Sequence, residues 1–157
     1  MFKRQWEARG FGFTLKAEND FNLDKLSSTS EFHKFYGDLG DGDITRPKNL
    51  VSLRNYVLNN TERRGVHVVL SDGAFSCLGR ERFQELLSRR LQLCQFVCAL
   101  SILKKGGNFV CKLFDIYSVF SVGLIYLMYR CVAPIWLLPD DSSDLKCLTR
   151  SSFFQVL

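Results

Sequence analysis

Histidine is scarce in this sequence, and no Cys-x-x-Cys pair occurs. Only His33 and His67 could join the six cysteines, at 77, 94, 98, 111, 131 and 147, in a metal site. Neither stands at zinc spacing from Cys94 and Cys98, which are close enough to share a helix face. The cysteines lie mostly in apolar runs and read as small buried hydrophobes of a reduced, intracellular chain, which argues against a zinc site. A secretory leader is also lacking, because Met1 is followed by a polar, charged stretch over residues 2–9. The most apolar stretch, residues 116–129, is bounded by Asp115 and Arg130. It falls short of the ~20 residues a membrane span requires and reads as a buried helix. The acidic, glycine-rich stretch at 36–43 lacks the ligand pattern and closing glutamate of an EF-hand, and no GxGxxG follows a strand. Calcium loops and dinucleotide-dependent oxidoreductases are therefore disfavoured.

What is present suits one α/β domain. The 157 residues are 46% hydrophobic, enough to bury a core, and the net charge is +5. Basic pairs at Arg63-Arg64, Arg89-Arg90 and Lys104-Lys105 permit attraction to nucleic-acid phosphates without demanding it.

Residues 8–15 alternate as a short strand, with Gly10 and Gly12 allowing close backbone packing. Residues 18–48 are polar and glycine-rich, a long loop of the kind that tends to carry function. Pro47 suits an early helix position, and Leu50, Leu53, Val57 and Leu58 follow at helical spacing as far as Asn59 and Asn60. The run Val66-His67-Val68-Val69-Leu70 predicts a strand buried on both faces of a parallel sheet, with His67 in the core or lining it. A helix follows with Phe83, Leu87, Leu91, Cys94 and Cys98 along its buried side, stopping at Gly106-Gly107. A second buried strand at 108–114, an apolar helix at 117–131 and a strand at 134–138 complete the pattern. Alternating strands and helices predict a doubly wound, mostly parallel, Rossmann-like sheet, with ligands beyond the carboxyl ends of its strands.

Two residues at those ends carry chemical interest. Asp72 closes the first buried strand, and Lys112 lies within the second on the face of Val110 and Phe114. A charged lysine in an apolar strand is costly to bury, so it either snorkels from the strand end or works as a general base with a lowered pKa. If the strands are neighbours, the pair could converge. Asp41 and Asp43 have turn formation as their commoner explanation.

Taken in order, Gly10-Phe11-Gly12-Phe13-Thr14-Leu15-Lys16, Gly42-Asp43-Ile44-Thr45-Arg46-Pro47, Asn59-Asn60-Thr61, Gly65-Val66-His67 and Ser71-Asp72-Gly73-Ala74-Phe75-Ser76 form one set of motifs. Leu93-Cys94-Gln95-Phe96, Gly106-Gly107-Asn108-Phe109-Val110-Cys111-Lys112 and Phe120-Ser121-Val122-Gly123-Leu124 extend it, so that the match runs over residues 6–131. With this set the chain resembles the FtsJ-like S-adenosylmethionine-dependent ribose 2′-O-methyltransferases, and among them the branch acting on the first transcribed nucleotide of capped mRNA. The resemblance implies a Lys-Asp-Lys-Glu catalytic tetrad in which Asp72 is the aspartate and Lys112 the second lysine and proton acceptor. It implies that Asp43 and Ile44 hold the adenine of S-adenosylmethionine. It also implies capped mRNA as substrate, a nuclear setting and a partner from the transcription or capping machinery. The family's glycine-rich cofactor loop and first lysine are expected upstream of residue 1, and neither Asp140 nor Asp144 takes the place of its glutamate. Residues 1–139 are thus expected to be a methyltransferase domain incomplete at both ends, 140–157 an unmatched tail, and this chain alone inactive. A non-catalytic remnant that binds RNA or a protein partner is the competing expectation.

Overall fold

The computed structural model describes residues 9–16, 20–22, 31–74, 79, 83–132, 135–139 and 145–150. Among the residues read from sequence, Ala8, Phe75, Ser76, Cys77, Pro134, Asp140 and Asp144 lie outside that set. The chain divides into two compact units, residues 1–56 and 57–157, and the division falls within one helix.

In the first unit, strand β1 (Gly10–Gly12) pairs in parallel with β2 (Phe32–Lys34), Phe11 opposite His33. Aromatic rings take the place of a large aliphatic core here. Phe11 stacks on His33 with centroids 5.8 Å apart, Phe35 lies flat against Tyr56 at 4.3 Å, and Phe21 meets Phe32 edge to face. Asp20 ties two segments together by accepting from Lys34 Nζ at 3.1 Å and from the Tyr36 hydroxyl at 2.8 Å. Helix α1 (Pro47–Asn59) starts at the proline as the sequence predicts, because Pro at the first helical position loses no hydrogen bond. It ends at Asn59, where the Thr61 hydroxyl returns to the Val57 carbonyl at 2.8 Å.

The second unit runs β3 (Val66–Ser71), α2 (Gln84–Ile102), β4 (Leu103–Leu113), α3 (Val119–Cys131), β5 (Ile135–Pro139) and β6 (Leu145–Arg150). Its sheet has the order β3-β4-β6-β5. β3 and β4 are parallel, joined through α2, which is the βαβ unit expected. β6 then enters between β4 and β5 and is antiparallel to both, so among the described residues this sheet has one parallel pair and two antiparallel ones rather than mostly parallel pairing. β6 falls in the stretch read as an unmatched tail. Helix α2 ends at Ile102, before the glycine pair expected to stop it, and Gly106 and Gly107 sit in an irregular start of β4 where the pairing slips between Val66 and Val68.

The core lies on one side of this sheet. Phe96 and Ala99 of α2, Phe109, Cys111 and Leu113 of β4, and Leu124, Met128 and Val132 at α3 form one cluster, with Phe96 edge to face on Phe109. Two sequence expectations of burial fail. β3 is not buried on both faces: Val68 is 50% and Leu70 74% exposed, because among the described residues β3 lies at the sheet edge and its face away from the core is open, while His67 is exposed beside the irregular start of the β3–β4 pairing. Helix α3 is not buried all round either, since Ser121, Leu124 and Met128 face inward while Val119 is 90% exposed. Phe109→Ala should cost about 3–5 kcal/mol in urea unfolding, whereas Leu70→Thr should change stability by less than ~0.5 kcal/mol.

Candidate active site

The residues expected at the site fall in both units, Asp43 and Ile44 in the first and Asp72 and Lys112 in the second. In the first unit the loop that carries Asp43 and Ile44 is organised by Asn49, a fully buried side chain on the first turn of α1. Asn49 Oδ1 accepts from Leu39 N at 3.0 Å, while its Nδ2 donates to Asp41 Oδ1 at 2.6 Å and to the Asp43 carbonyl at 3.0 Å. Gly42 passes so close to the Thr14 carbonyl, at φ +72°, that no side chain fits there. Asp43 Oδ1 accepts from both the amide and the hydroxyl of Thr45, at 2.9 and 2.7 Å. Its Oδ2 lies 3.5 Å from Arg46 Nε, which also reaches Asp41 at 3.2 Å. The Asp43 amide, with help from Asn49 and Arg46, holds the Asp41 carboxyl below the usual carboxylate range against the effect of burial. The turn-forming role that the sequence allowed for Asp41 and Asp43 is thus the one their hydrogen bonds display.

In the second unit, parallel pairing aligns Ser71 with Cys111, so the next residues, Asp72 and Lys112, come level at the carboxyl ends of β3 and β4. β4 alternates. Phe109, Cys111 and Leu113 are buried on the core side, and Asn108, Val110 and Lys112 occupy the open face. Lys112 is therefore half-buried rather than enclosed, which removes the penalty that a core-facing ammonium would carry. Asp72 is exposed.

Helix α2 supplies residues that the sequence reading missed. Its expected buried side is displaced: Phe83 and Leu87 are exposed, while Glu85, Ser88, Gln92 and Gln95 are buried with Leu91, Phe96 and Cys98. Gln95 Oε1 accepts from Gly73 N at 2.9 Å, next to Asp72. Glu85 accepts from Ser118 N at 2.8 Å, Ser118 Oγ at 2.7 Å and Tyr117 N at 3.3 Å, clamping the loop after β4. Ser118 in turn caps α3 by accepting from Ser121 N. The only local cue to this was a glutamate in the first turn of α2, because the bonds reach 22 to 33 residues along the chain.

Two outcomes follow. Asn49→Ala should lower stability by roughly 2 kcal/mol in denaturant melts, since it leaves buried groups of the loop without partners. Burial pushes the Glu85 carboxyl up, but its hydrogen bonds from Ser118, Ser121 and Tyr117 outweigh this and leave it below the usual range. A carboxyl depressed on folding contributes stability above the unfolded pKa and loses it as pH falls through the folded value. Glu85→Gln should accordingly melt below the parent at neutral pH, with the gap closing as pH drops under about 4.

Residues 1–135 match the family model described as FtsJ-like methyltransferase. The chain is 52% identical over 148 residues to cap-specific mRNA (nucleoside-2′-O-)-methyltransferase 1 of Mus musculus and 51% identical to that of Homo sapiens, each over 91% of this chain. The Drosophila melanogaster protein of the same name is 47% identical over 145 residues. The chain spans 18% of the length of each of these relatives. In fold it resembles the crystal structure of a Plasmodium falciparum protein described as a ribosomal RNA methyltransferase, with TM-score 0.68, 14% identity, and coverage of 91% of this chain and 71% of that one. The match to the family model over most of its length places the chain in the FtsJ-like methyltransferase family.

Proposed function

We propose that this chain contributes to methyl transfer from S-adenosylmethionine to the ribose 2′-hydroxyl of the first nucleotide of capped mRNA. The observation that carries the reading is the level placement of Asp72 and Lys112 at the ends of paired parallel strands, in a chain of this family. The methyl group comes as an electrophile on a sulfonium when the cofactor is bound. Lys112 is the base that takes the proton of the 2′-hydroxyl, and bound S-adenosylmethionine would supply the methyl group to that oxygen and keep the carbon–sulfur electron pair on its sulfur. Asp72 orients the lysine. Its exposure, and the half-burial of Lys112, leave both accessible to a ribose laid across the strand ends.

The loop in the first unit suits the adenine end of the cofactor. Thr45 occupies one oxygen of Asp43, leaving Oδ2 as an acceptor for an exocyclic amine, with Arg46 alongside. Ile44, half-buried, offers an apolar edge to a base. Asn49 keeps the loop in shape. The parallel β3–β4 pair linked by α2 supports reading residues 1–139 as a doubly wound, Rossmann-like methyltransferase domain, with 140–157 as an appendage to it. The net charge of +5 is compatible with RNA as substrate, and the relatives' names, which specify capped mRNA, support that substrate and with it a nuclear setting and a partner from the transcription or capping machinery.

The full-length gene product should transfer labelled methyl groups into the first ribose of capped RNA. Lys112→Ala and Asp72→Ala should each lower that rate at least ~100-fold, and Lys112→Ala should leave melting cooperative, since the side chain lies off the core face. Transfer that persists undiminished in either variant would sink the assignment.

A further inference from the structure

Helix α2 buries the polar side chains of Glu85, Ser88, Gln92 and Gln95. Gln95 is 4% exposed, and its amide is only half used: Oε1 accepts from Gly73 N at 2.9 Å, while Nε2 is buried without a partner. A buried unpaired donor is unfavourable, and an apolar side chain of similar volume would avoid it. The position thus keeps an acceptor for Gly73 while weakening its own packing. Gly73 lies beyond the last β3–β4 pair, Ser71 with Cys111, so no ladder bond fixes its amide. A Cβ on residue 73 would stand 2.9 Å from the same Gln95 oxygen, so glycine permits the approach. The acceptor is held rigidly, because the next residue, Phe96, is fully buried edge to face on Phe109, 5.4 Å between centroids.

We propose that Gln95 is a positioning residue for methyl transfer, fixing the turn after β3 so that Asp72 stays level with Lys112. This rests on the functional reading given above. Asp72 follows β3's last residue paired with β4 directly. A fixed acceptor one residue further on restrains it, and near-attack geometry is sensitive to displacements of about 1 Å.

Gln92 provides the control. It is 2% exposed, and its Nε2 is likewise buried and unpaired. Gln95→Met and Gln92→Met each delete a buried amide, but only the first removes the Gly73 acceptor. In the full-length gene product, Gln95→Met should lower kcat for methyl transfer to capped RNA about 10–100-fold, with KM for S-adenosylmethionine within about twofold of the parent. Its Tm should not drop by more than ~2 °C, and hydrogen exchange at residue 73 should accelerate. Gln92→Met should retain parental kcat. A kcat in Gln95→Met within about threefold of the parent, equal losses in both variants, or a loss that tracks a falling Tm would each overturn the proposal. Absence of transfer by the parent protein would instead overturn the functional reading, and exchange at residue 73 separates the two failures by reporting on the Gln95 bond independently of activity.

Discussion

The parallel register of β3 on β4 is the constraint on which the second unit turns. Aligning Ser71 with Cys111 does two things at once. It puts Val69 and Ser71 on the same face as Phe109 and Cys111, where α2 and α3 close over them, and it brings Asp72 level with Lys112 at the strand ends. A slip of one residue would turn Val69, which packs against the core, away from it and would part Asp72 from Lys112. Core packing and the candidate chemistry are therefore locked to the same choice of register. Phe96 against Phe109 secures that choice from the helix side, since α2 is the connection that makes parallel pairing possible.

A sheet covered on one face explains most departures from the sequence reading. Continuous apolar runs such as Val66 to Leu70 are the mark of strands with both faces covered, yet in this chain Leu70 is largely exposed and Lys112 shares that open face. The same openness gives Lys112 its half-buried position. An ammonium on the core side would have met Phe109, Leu113 and Met128.

What the sequence revealed followed the range of the interactions involved. Helix α1 was legible because Pro47 and the spacing of Leu53 and Val57 act within a few residues. Asp72 stands out in the sequence because the apolar run of β3 ends there, and Lys112 because it is a charge inside an apolar run. The buried side of α2 was misread. Leu87 and Cys94 make a plausible stripe, but the true inward residues include Glu85 and Gln95, whose partners Ser118 and Gly73 are remote in the chain. β6 was missed because its pairing with β4 joins Cys147 to Cys111, and nothing local announces a strand that completes a sheet from so far away. The Asp41–Asp43 loop was visible as polar and glycine-rich, but not that Asn49, six residues beyond Asp43, is its buried centre.

Both candidate regions share a construction in which a helix near the loop supplies a buried amide that satisfies the loop's backbone. Asn49 of α1 does so for residues 39–43, and Gln95 of α2 for Gly73. Amides suit this role because they offer donor and acceptor without a charge that must be neutralised in the interior. The two differ in how completely they are used. Asn49 satisfies its loop with both ends of its amide, which makes it a stabilising residue first. Gln95 leaves its nitrogen unpaired, as Gln92 does, so the unpaired donor by itself marks no role, and what sets Gln95 apart is its bond to the Gly73 amide beside Asp72.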